Sequence, residues 1–367
     1  MIFYRSKESG YFSFERQGMA IPLSKIKMLA PGTKLRKSLD DILGAKFGAL
    51  IVFIDEKTDY ESFVQGGFRF DINFAPEKLY ELAKMDGGVI LDQDGGRILG
   101  ANVHLVPDSS MPTVETGMRH RTAERIARQT GFLVLAISSR RNVVTLYYEN
   151  NKYVMNDIKL LLARVTQALY TLEKYRVNFD KMLTQIELAE LHNRAELRNI
   201  IEVLIKGVEI QKIRDQIEPY VIELGTEGNL FRMQLEEIVG DLDELLGNFL
   251  KDYHIQEVTY EEAQTILGNL KKLKELGPLV AARSIGFDLS NISQLDETTI
   301  TARGYRVLKY AVGLPMTIVV NLIKTFKNIY QISNAKIDVL KEVEGIGDKR
   351  AITIFETLEN IKKGNIL

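Results

Sequence analysis

The sequence contains no cysteine. That excludes disulfides, thiolate metal sites and cysteine nucleophiles, and it suits a reducing cytoplasm. No run of about eighteen apolar residues occurs, so no membrane-spanning helix is expected. The first residues, Met1 to Glu8, lack the apolar core of a signal peptide. A Gly-Lys-Ser/Thr phosphate loop is missing, which argues against a motor ATPase, and Gly95, Gly96 and Gly100 do not fit a dinucleotide fingerprint. Asp92-Gln-Asp94-Gly-Gly96 lacks the bidentate glutamate of a calcium loop and reads as a hairpin turn. Excess charge of one sign is absent as well: 48 Lys+Arg against 49 Asp+Glu leave the chain at −1.

That charge is unevenly placed. Residues 301–367 hold 11 Lys+Arg and 6 Asp+Glu, a local +5, so the other 300 residues carry −6. A basic end on an acidic body suggests a local polyanion site, with an ordinary solvated helical surface as the alternative. The composition, 45% hydrophobic and 26% charged, is that of a soluble globular protein. A length of 367 residues implies two or three domains.

The first 150 residues alternate helical and strand patterns. Ser24 to Ala30 and Leu35 to Leu43 read as helices around a Pro31-Gly32 turn. Gly48 to Asp55 is a buried strand by its continuous apolar run. Pro76 to Lys84 has helical spacing. Gly88 to Leu91 and Arg97 to His104 read as strands joined by the 92–96 turn. Arg119 to Gln129 is a helix stopped by Gly131, and Phe132 to Ser138 and Asn142 to Tyr148 are strands. The sum is an α/β domain with a mixed sheet, assigned to residues 1–152. Residues 153–300 read as an all-α spine. Asp157 to Leu191 keeps apolar helical spacing for some ten turns, Pro219 and Gly225 punctuate the segment, and Gln234 to Leu250 reads as one amphipathic helix. Residues 301–367 form the terminal domain of short helices.

In that domain Leu340 to Ala351 encodes an apolar helix, a Gly345-Ile346-Gly347 turn and a second helix opening with Lys349 and Arg350. Backbone N–H groups at a helix N-terminus form a phosphate site. Val343 and Ile346 are apolar anchors, Gly345 and Gly347 permit positive φ, and Ala351 is small where helices meet. Gly313-Leu314-Pro315 lies 32 residues upstream as a degenerate first copy. The segment resembles the helix-hairpin-helix family, in tandem, which implies contact with DNA phosphates without base readout. A protein–protein version of the motif is the alternative.

Near the N-terminal end, Asp86-Gly87-Gly88 sits between a helix and a strand. Glycines there let a ligand touch backbone, and an aspartate binds a divalent metal or polarises a hydroxyl. Arg119-His120-Arg121 follows Thr113, Thr116, Gly117 and Met118 and precedes Thr122. Two arginines, hydroxyls and a helix N-terminus suit a polyphosphate. The alternative is surface arginines paired with Glu115 and Glu124. His104 and His192 read as structural or exposed.

The chain resembles the diadenylate cyclase family. The family's Asp-Gly-Ala and Arg-His-Arg motifs match Asp86-Gly87-Gly88 and Arg119-His120-Arg121. Ala101 to Asp108, Glu115 to Gly117 and the Ser138-Ser139-Arg140-Arg141-Asn142 turn are also family-like, and the order of three domains agrees. Gly88 for alanine, Met118 for a frequent threonine and Ser139 for a frequent arginine are the departures, and they bear on rate and affinity.

The resemblance implies condensation of two ATP into cyclic di-AMP, a second messenger, with loss of two pyrophosphates. Two cyclase domains then meet face to face. Asp86 helps activate the 3′-hydroxyl with Mg²⁺ or Mn²⁺. Arg119, His120 and Arg121 hold phosphates. Thr122, Ser138 and Arg141 are further phosphate contacts, beside Thr116, Gly117 and Met118, while Gly87, Gly88 and Leu105 line the nucleoside pocket. It also implies an octamer, cytoplasmic and nucleoid-associated. Its tail binds double-stranded and branched DNA through Gly313, Gly345, Ile346, Gly347, Lys349 and Arg350, and lowers cyclase output in response to damaged DNA. A non-catalytic nucleotide-sensing scaffold is the rival, and a repair nuclease is disfavoured for want of clustered carboxylates near Asp86.

Overall fold

The structure, a computed structural model, describes residues 21–55 and 60–364; the Met1 to Glu8 stretch lies outside the described residues. The chain divides into two compact units, Met1–Thr166 with Gln216–Arg232, and Gln167–Asp215 with Met233–Leu367.

The first unit is built on a mixed sheet. Its described strands are β1 (Leu50–Ile54), β2 (Val64–Gln65), β3 (Phe68–Asn73), β4 (Gly88–Asp92), β5 (Arg97–Leu105), β6 (Val134–Ser138), β7 (Val143–Tyr148) and β8 (Asn151–Val154). They run in the order β2-β5-β4-β1-β6-β7-β8, with β3 also paired to β5. Only β1 and β4 are parallel, with Ile51 opposite Val89; the other pairs are antiparallel. The alternation of β1 explains its continuous apolar run. Ile51 and Phe53 enter a core with Ile26, Leu35, Leu39 and Leu79 of three helices. Leu50, Val52 and Ile54 face the opposite core with Ala123, Ile126 and Ala127 of the Met118–Thr130 helix. A strand covered on both faces has no polar side to show. Each such side chain contributes about 1.5–3 kcal/mol by leaving water.

The β4–β5 turn is a hairpin, as its sequence implies: the Asp92 carboxylate accepts N–H bonds from Gly96 (2.7 Å) and Arg97 (3.0 Å). Gly131 ends the Met118–Thr130 helix in the left-handed region at φ 73°.

The helices Ile158–Leu191 and Leu197–Glu223 each contribute residues to both units. Pro219 lies inside the second helix instead of breaking it. Its ring removes one backbone hydrogen bond, but buried Ile217 and Val221 hold the helix on either side. In the second unit the expected 234–250 helix is two, Asn229–Val239 and Leu242–Tyr253. Gly240 is a weak helix former at the join. Arg176 fastens the break by donating to the Ile238 carbonyl (2.9 Å) and the Asp241 carboxylate (2.6 Å).

Candidate active site and nucleic-acid interface

The register of the sheet gathers the candidate residues at one end. Because β1 and β4 are parallel, Gly48 and Asp86-Gly87 precede strands that start at the same edge, and Gly88 opens β4 there. The antiparallel β5 and β6 finish there, bringing Val103 opposite Gly88 and Leu50 opposite Ala136, two residues before Ser138. Asp86 is exposed. Gly87 has φ 90°, and a Cβ there would stand 2.6 Å from the Val103 carbonyl oxygen. Its glycine is thus required by the neighbouring strand, where the sequence suggested room for a ligand. Gly88 is buried, with the Leu105 side chain packed over it.

The Met118–Thr130 helix brings its N-terminus to this end. Gly117 caps it with no side-chain acceptor, and no acid occupies its first turn. The first-turn N–H groups and the dipole therefore favour an anion. The loop ahead is tied down by Glu124, which accepts from the Thr113 hydroxyl (2.5 Å) and the Val114 N–H (3.3 Å). Arg119 stretches back across the sheet end. Its Nη1 lies 2.6 Å from where a Cβ on Gly48 would be, so Gly48 makes room for the guanidinium.

The pairing of these arginines with Glu115 and Glu124 is not what the structure holds. Glu124 binds Arg128 (2.8 Å), and Glu115 binds Lys152. Arg121 reaches only the Glu115 backbone carbonyl, at 3.4 Å. Among the described residues Arg119, Arg121, Arg140 and Arg141 pair with no carboxylate. Thr116 and Met118 are exposed, and Thr122 is half-buried. The Ser138 hydroxyl accepts the Arg141 N–H (3.3 Å), shaping the turn that presents Arg140 and Arg141.

His120 differs from its neighbours. Its Nδ1 lies 2.9 Å from the Tyr147 hydroxyl, which donates to Glu115 at 2.9 Å. Burial lowers the His120 pKa; Glu115 opposes this, while Arg141, Lys152 and Arg119 reinforce it. Burial and then Glu115 push the Tyr147 hydroxyl far up, so it stays protonated. Burial raises the Glu115 carboxyl, but hydrogen bonds from Lys152 and Tyr147 outweigh it and hold the acid below its ordinary range. Sequence reasoning missed Gly48, Tyr147 and Lys152 as site components. Tyr147 and Lys152 lie 32 and 37 residues from Glu115, and only the β7 and β8 pairings bring them together.

Among the described residues no group of three His, Asp or Glu could hold a metal ion. Asp86, a single exposed carboxylate, suits a magnesium-type ion that takes its other ligands from phosphate oxygens and water.

In the second unit the chain makes two helix–turn–helix pairs. The turn Gly313-Leu314-Pro315 lies between the π-helical turn Val307–Ala311 and the helix Met316–Phe326. Gly345-Ile346-Gly347 lies between Ile337–Lys341 and Asp348–Lys362. Gly345 has φ 88°, and Ile318 of the first pair packs against it. Gly347 is extended at φ −98°, so only one of the two glycines needs the left-handed region. Ile346 takes the place of an apolar anchor. Its side chain is buried with Val343 and Ala351, and its N–H is spent on the Val343 carbonyl (3.0 Å). The Asp348–Lys362 helix has no side-chain cap. Lys349 is exposed beside its first turn, and Arg350 donates to the Gly345 carbonyl (2.8 Å).

A sheet end where, among the described residues, Arg119, Arg121, Arg140 and Arg141 pair with no carboxylate suits a polyphosphate, as a nucleotide-binding domain requires. Comparison with known proteins makes this specific. Residues 36–152 match the profile described as DisA bacterial checkpoint controller nucleotide-binding, and residues 155–293 match the DisA bacterial checkpoint controller linker region. The DNA integrity scanning protein DisA of Thermotoga neapolitana is 50% identical over 340 residues, 93% of this chain and 97% of the relative. That of Thermotoga maritima is 49% identical, covering 93% and 95%. That of Bacillus cereus (strain ATCC 14579) is 41% identical over 351 residues, covering 95% and 97%. The chain belongs to the DNA integrity scanning protein DisA family and is a diadenylate cyclase, a nucleotidyltransferase. No described helix is long and apolar enough to cross a membrane.

Proposed function

We propose that this enzyme condenses two ATP into cyclic di-AMP and two pyrophosphates, and that its basic tail binds branched DNA and lowers that output. The observation that carries the first part is the meeting of exposed Asp86, the unneutralised Arg119 and an open helix N-terminus at one end of the sheet. Each 3′-oxygen attacks the α-phosphorus of the opposite ATP. A 3′-oxygen–phosphorus bond forms as the bond to pyrophosphate breaks, and the hydroxyl proton leaves towards Asp86 or water. Two ATP molecules must face each other, so two cyclase domains join face to face, within an octamer. Arg119 and Arg121 offset charge on the phosphates, helped by Thr122, Ser138 and Arg141. A Mg²⁺ or Mn²⁺ ion at Asp86 would polarise the phosphates.

The second part is supported by exposed Lys349 in the first turn of the Asp348–Lys362 helix, where Asp348 is paired with Lys341 (2.7 Å). Such groups address phosphates, not bases. We further place the protein in the cytoplasm at the nucleoid, with the Ile158–Leu191 helix as part of the connection between DNA and catalysis.

Purified protein incubated with ATP and Mg²⁺ or Mn²⁺ is expected to yield cyclic di-AMP by chromatography, and less of it when a four-way DNA junction is added. A Lys349→Glu, Arg350→Glu variant is expected to lose junction binding, and the residual binding should fall less steeply with salt. Absence of cyclic product would sink the first part. Output indifferent to the junction, or full binding by the double variant, would sink the second.

A further inference from the structure

A Tyr147 hydroxyl has one hydrogen, and its destination decides the state of His120. The ionised Glu115 carboxylate can only accept, and it takes that hydrogen at 2.9 Å while also accepting from Lys152. The Tyr147 oxygen can then only accept from His120, whose Nδ1 stands 2.9 Å away. Nδ1 therefore carries a proton whether the ring is neutral or charged. Nε2 is the atom left to gain or lose one. Its ring neighbour Cδ2 lies 3.7 Å from where a Cβ on Gly117 would be, so that edge of the ring lies beside the residue that caps the helix. The arrangement is buried: Tyr147 is 1% exposed and Glu115 9%.

We propose that Tyr147 and Glu115 are positioning residues that fix the tautomer of His120, so that Nε2 takes up a proton when the ATP polyphosphate arrives and becomes a donor to it. This rests on the reading that phosphates lie at the Met118–Thr130 N-terminus. Bare Nε2 cannot bind a phosphate oxygen, because both would be acceptors. The groups facing the ring are Glu115 from the preceding loop, Arg119 on its own helix, Arg141 from the β6–β7 turn, Tyr147 on β7 and Lys152 on β8. Of these only Glu115 favours the imidazolium; the three cations and burial keep free His120 neutral. A bound polyphosphate adds several negative charges and reverses that balance. The imidazolium then donates from Nε2 to phosphate, while Nδ1–H remains held by Tyr147 and, behind it, by the Glu115 charge. The proton comes from solvent on ATP binding and returns to solvent when the products leave.

The test compares Tyr147→Phe, Glu115→Gln and His120→Gln in the full chain. Nitrogen-15 NMR of histidine-labelled protein should show His120 as the Nδ1–H tautomer, and Tyr147→Phe should lose that preference. Calorimetry of ATP binding in buffers of different ionisation enthalpy should show proton uptake in the wild type and less in all three variants. Tyr147→Phe should lower kcat/KM by about 10- to 100-fold, with part of the loss in KM because the contact forms on ATP binding. The alkaline limb of its pH profile should move to lower pH, because the imidazolium has lost its acceptor. Glu115→Gln, which keeps an acceptor but not the charge, should move the limb the same way. A purely packing role for Tyr147 would move neither tautomer nor limb. An unchanged limb and tautomer in Tyr147→Phe, with His120→Gln inactive, would overturn the relay and leave the phosphate site standing. Full activity in His120→Gln would overturn both.

Discussion

Arg119→Ala is expected to lower kcat/KM for cyclic di-AMP formation by about 100- to 1,000-fold, the usual loss when one preorganised donor to developing charge is removed. The size follows from how the side chain is held. Arg119 projects from the first turn of its helix, and its guanidinium is seated over Gly48, at the start of the central strand. Among the described residues it has no carboxylate to satisfy, so its charge is available to a ligand. In the alanine variant the helix N-terminus, Arg121 and Arg141 remain, so some ATP binding should persist and much of the loss should fall on kcat. Arg119→Lys should recover only part, because a lysine supplies the charge without the planar fork. Gly48→Ala should act in the same direction without changing Arg119 itself, since the added methyl would stand 2.6 Å from its Nη1 and 2.8 Å from the Ile137 carbonyl oxygen, shifting the guanidinium and straining the strand edge. Steady-state kinetics with a separate nucleotide-binding measurement would decide. An Arg119→Ala enzyme that kept more than half the wild-type kcat/KM would remove this residue from the reaction.

How far the sequence anticipated this site depends on the distance over which each signal acts. Asp86 and Arg119-His120-Arg121 are local clusters at recognisable ends of elements, and the Asp92 turn and the Gly131 stop are fixed by neighbours a few residues away. Gly48, Tyr147 and Lys152 carry no local signal, because each is an ordinary strand or strand-end residue until the register of β1, β7 and β8 sets it beside Arg119, His120 and Glu115. The strand β3 is a different case: Phe68, Phe70 and Ile72 alternate with Arg69, Asp71 and Asn73, a pattern of period two that is local and legible in the sequence. The break at Gly240 was hidden because the apolar spacing continues across it, and Arg176, some sixty residues earlier, anchors it. Pro219 misled in the opposite sense, since packing outweighed one lost backbone bond.

The largest stability effect is expected far from the chemistry, at Arg306. This guanidinium is 1% exposed and donates to Glu187 and Glu190 of the long helix, each at 2.6 Å. Beside it the buried Asp252 carboxylate accepts the N–H groups of Gly304 (2.7 Å), Tyr305 (2.6 Å) and Arg306 (3.1 Å), which anchors the chain just ahead of the first helix–turn–helix pair. Three acids thus share one arginine. Burial pushes the Glu190 carboxyl above its ordinary range, and Arg306 opposes that rise as its counter-charge. Arg306→Met leaves buried acids without their counter-charge and should cost about 3–5 kcal/mol. For a unit of this size that is a fall in melting temperature of roughly 10 °C. Arg306→Met with Glu190→Leu should regain much of the loss, because removing both partners is far cheaper than stranding one.

The pH dependence has a definite sign. Glu190 binds its proton more tightly folded than unfolded, so its contribution to stability declines as the pH climbs from about 4.5 through about 8. Asp252, also raised by burial, acts in the same direction. Without Arg306 both acids resist ionising still more, so Arg306→Met should be destabilised more at pH 8.5 than at pH 6. Thermal melts of the wild type and both variants at the two pH values would measure this. A single variant as stable as the wild type at pH 8.5 would mean that the acids are not held in a dry interior, and that Arg306 does not lock the first helix–turn–helix pair to the end of the long helix.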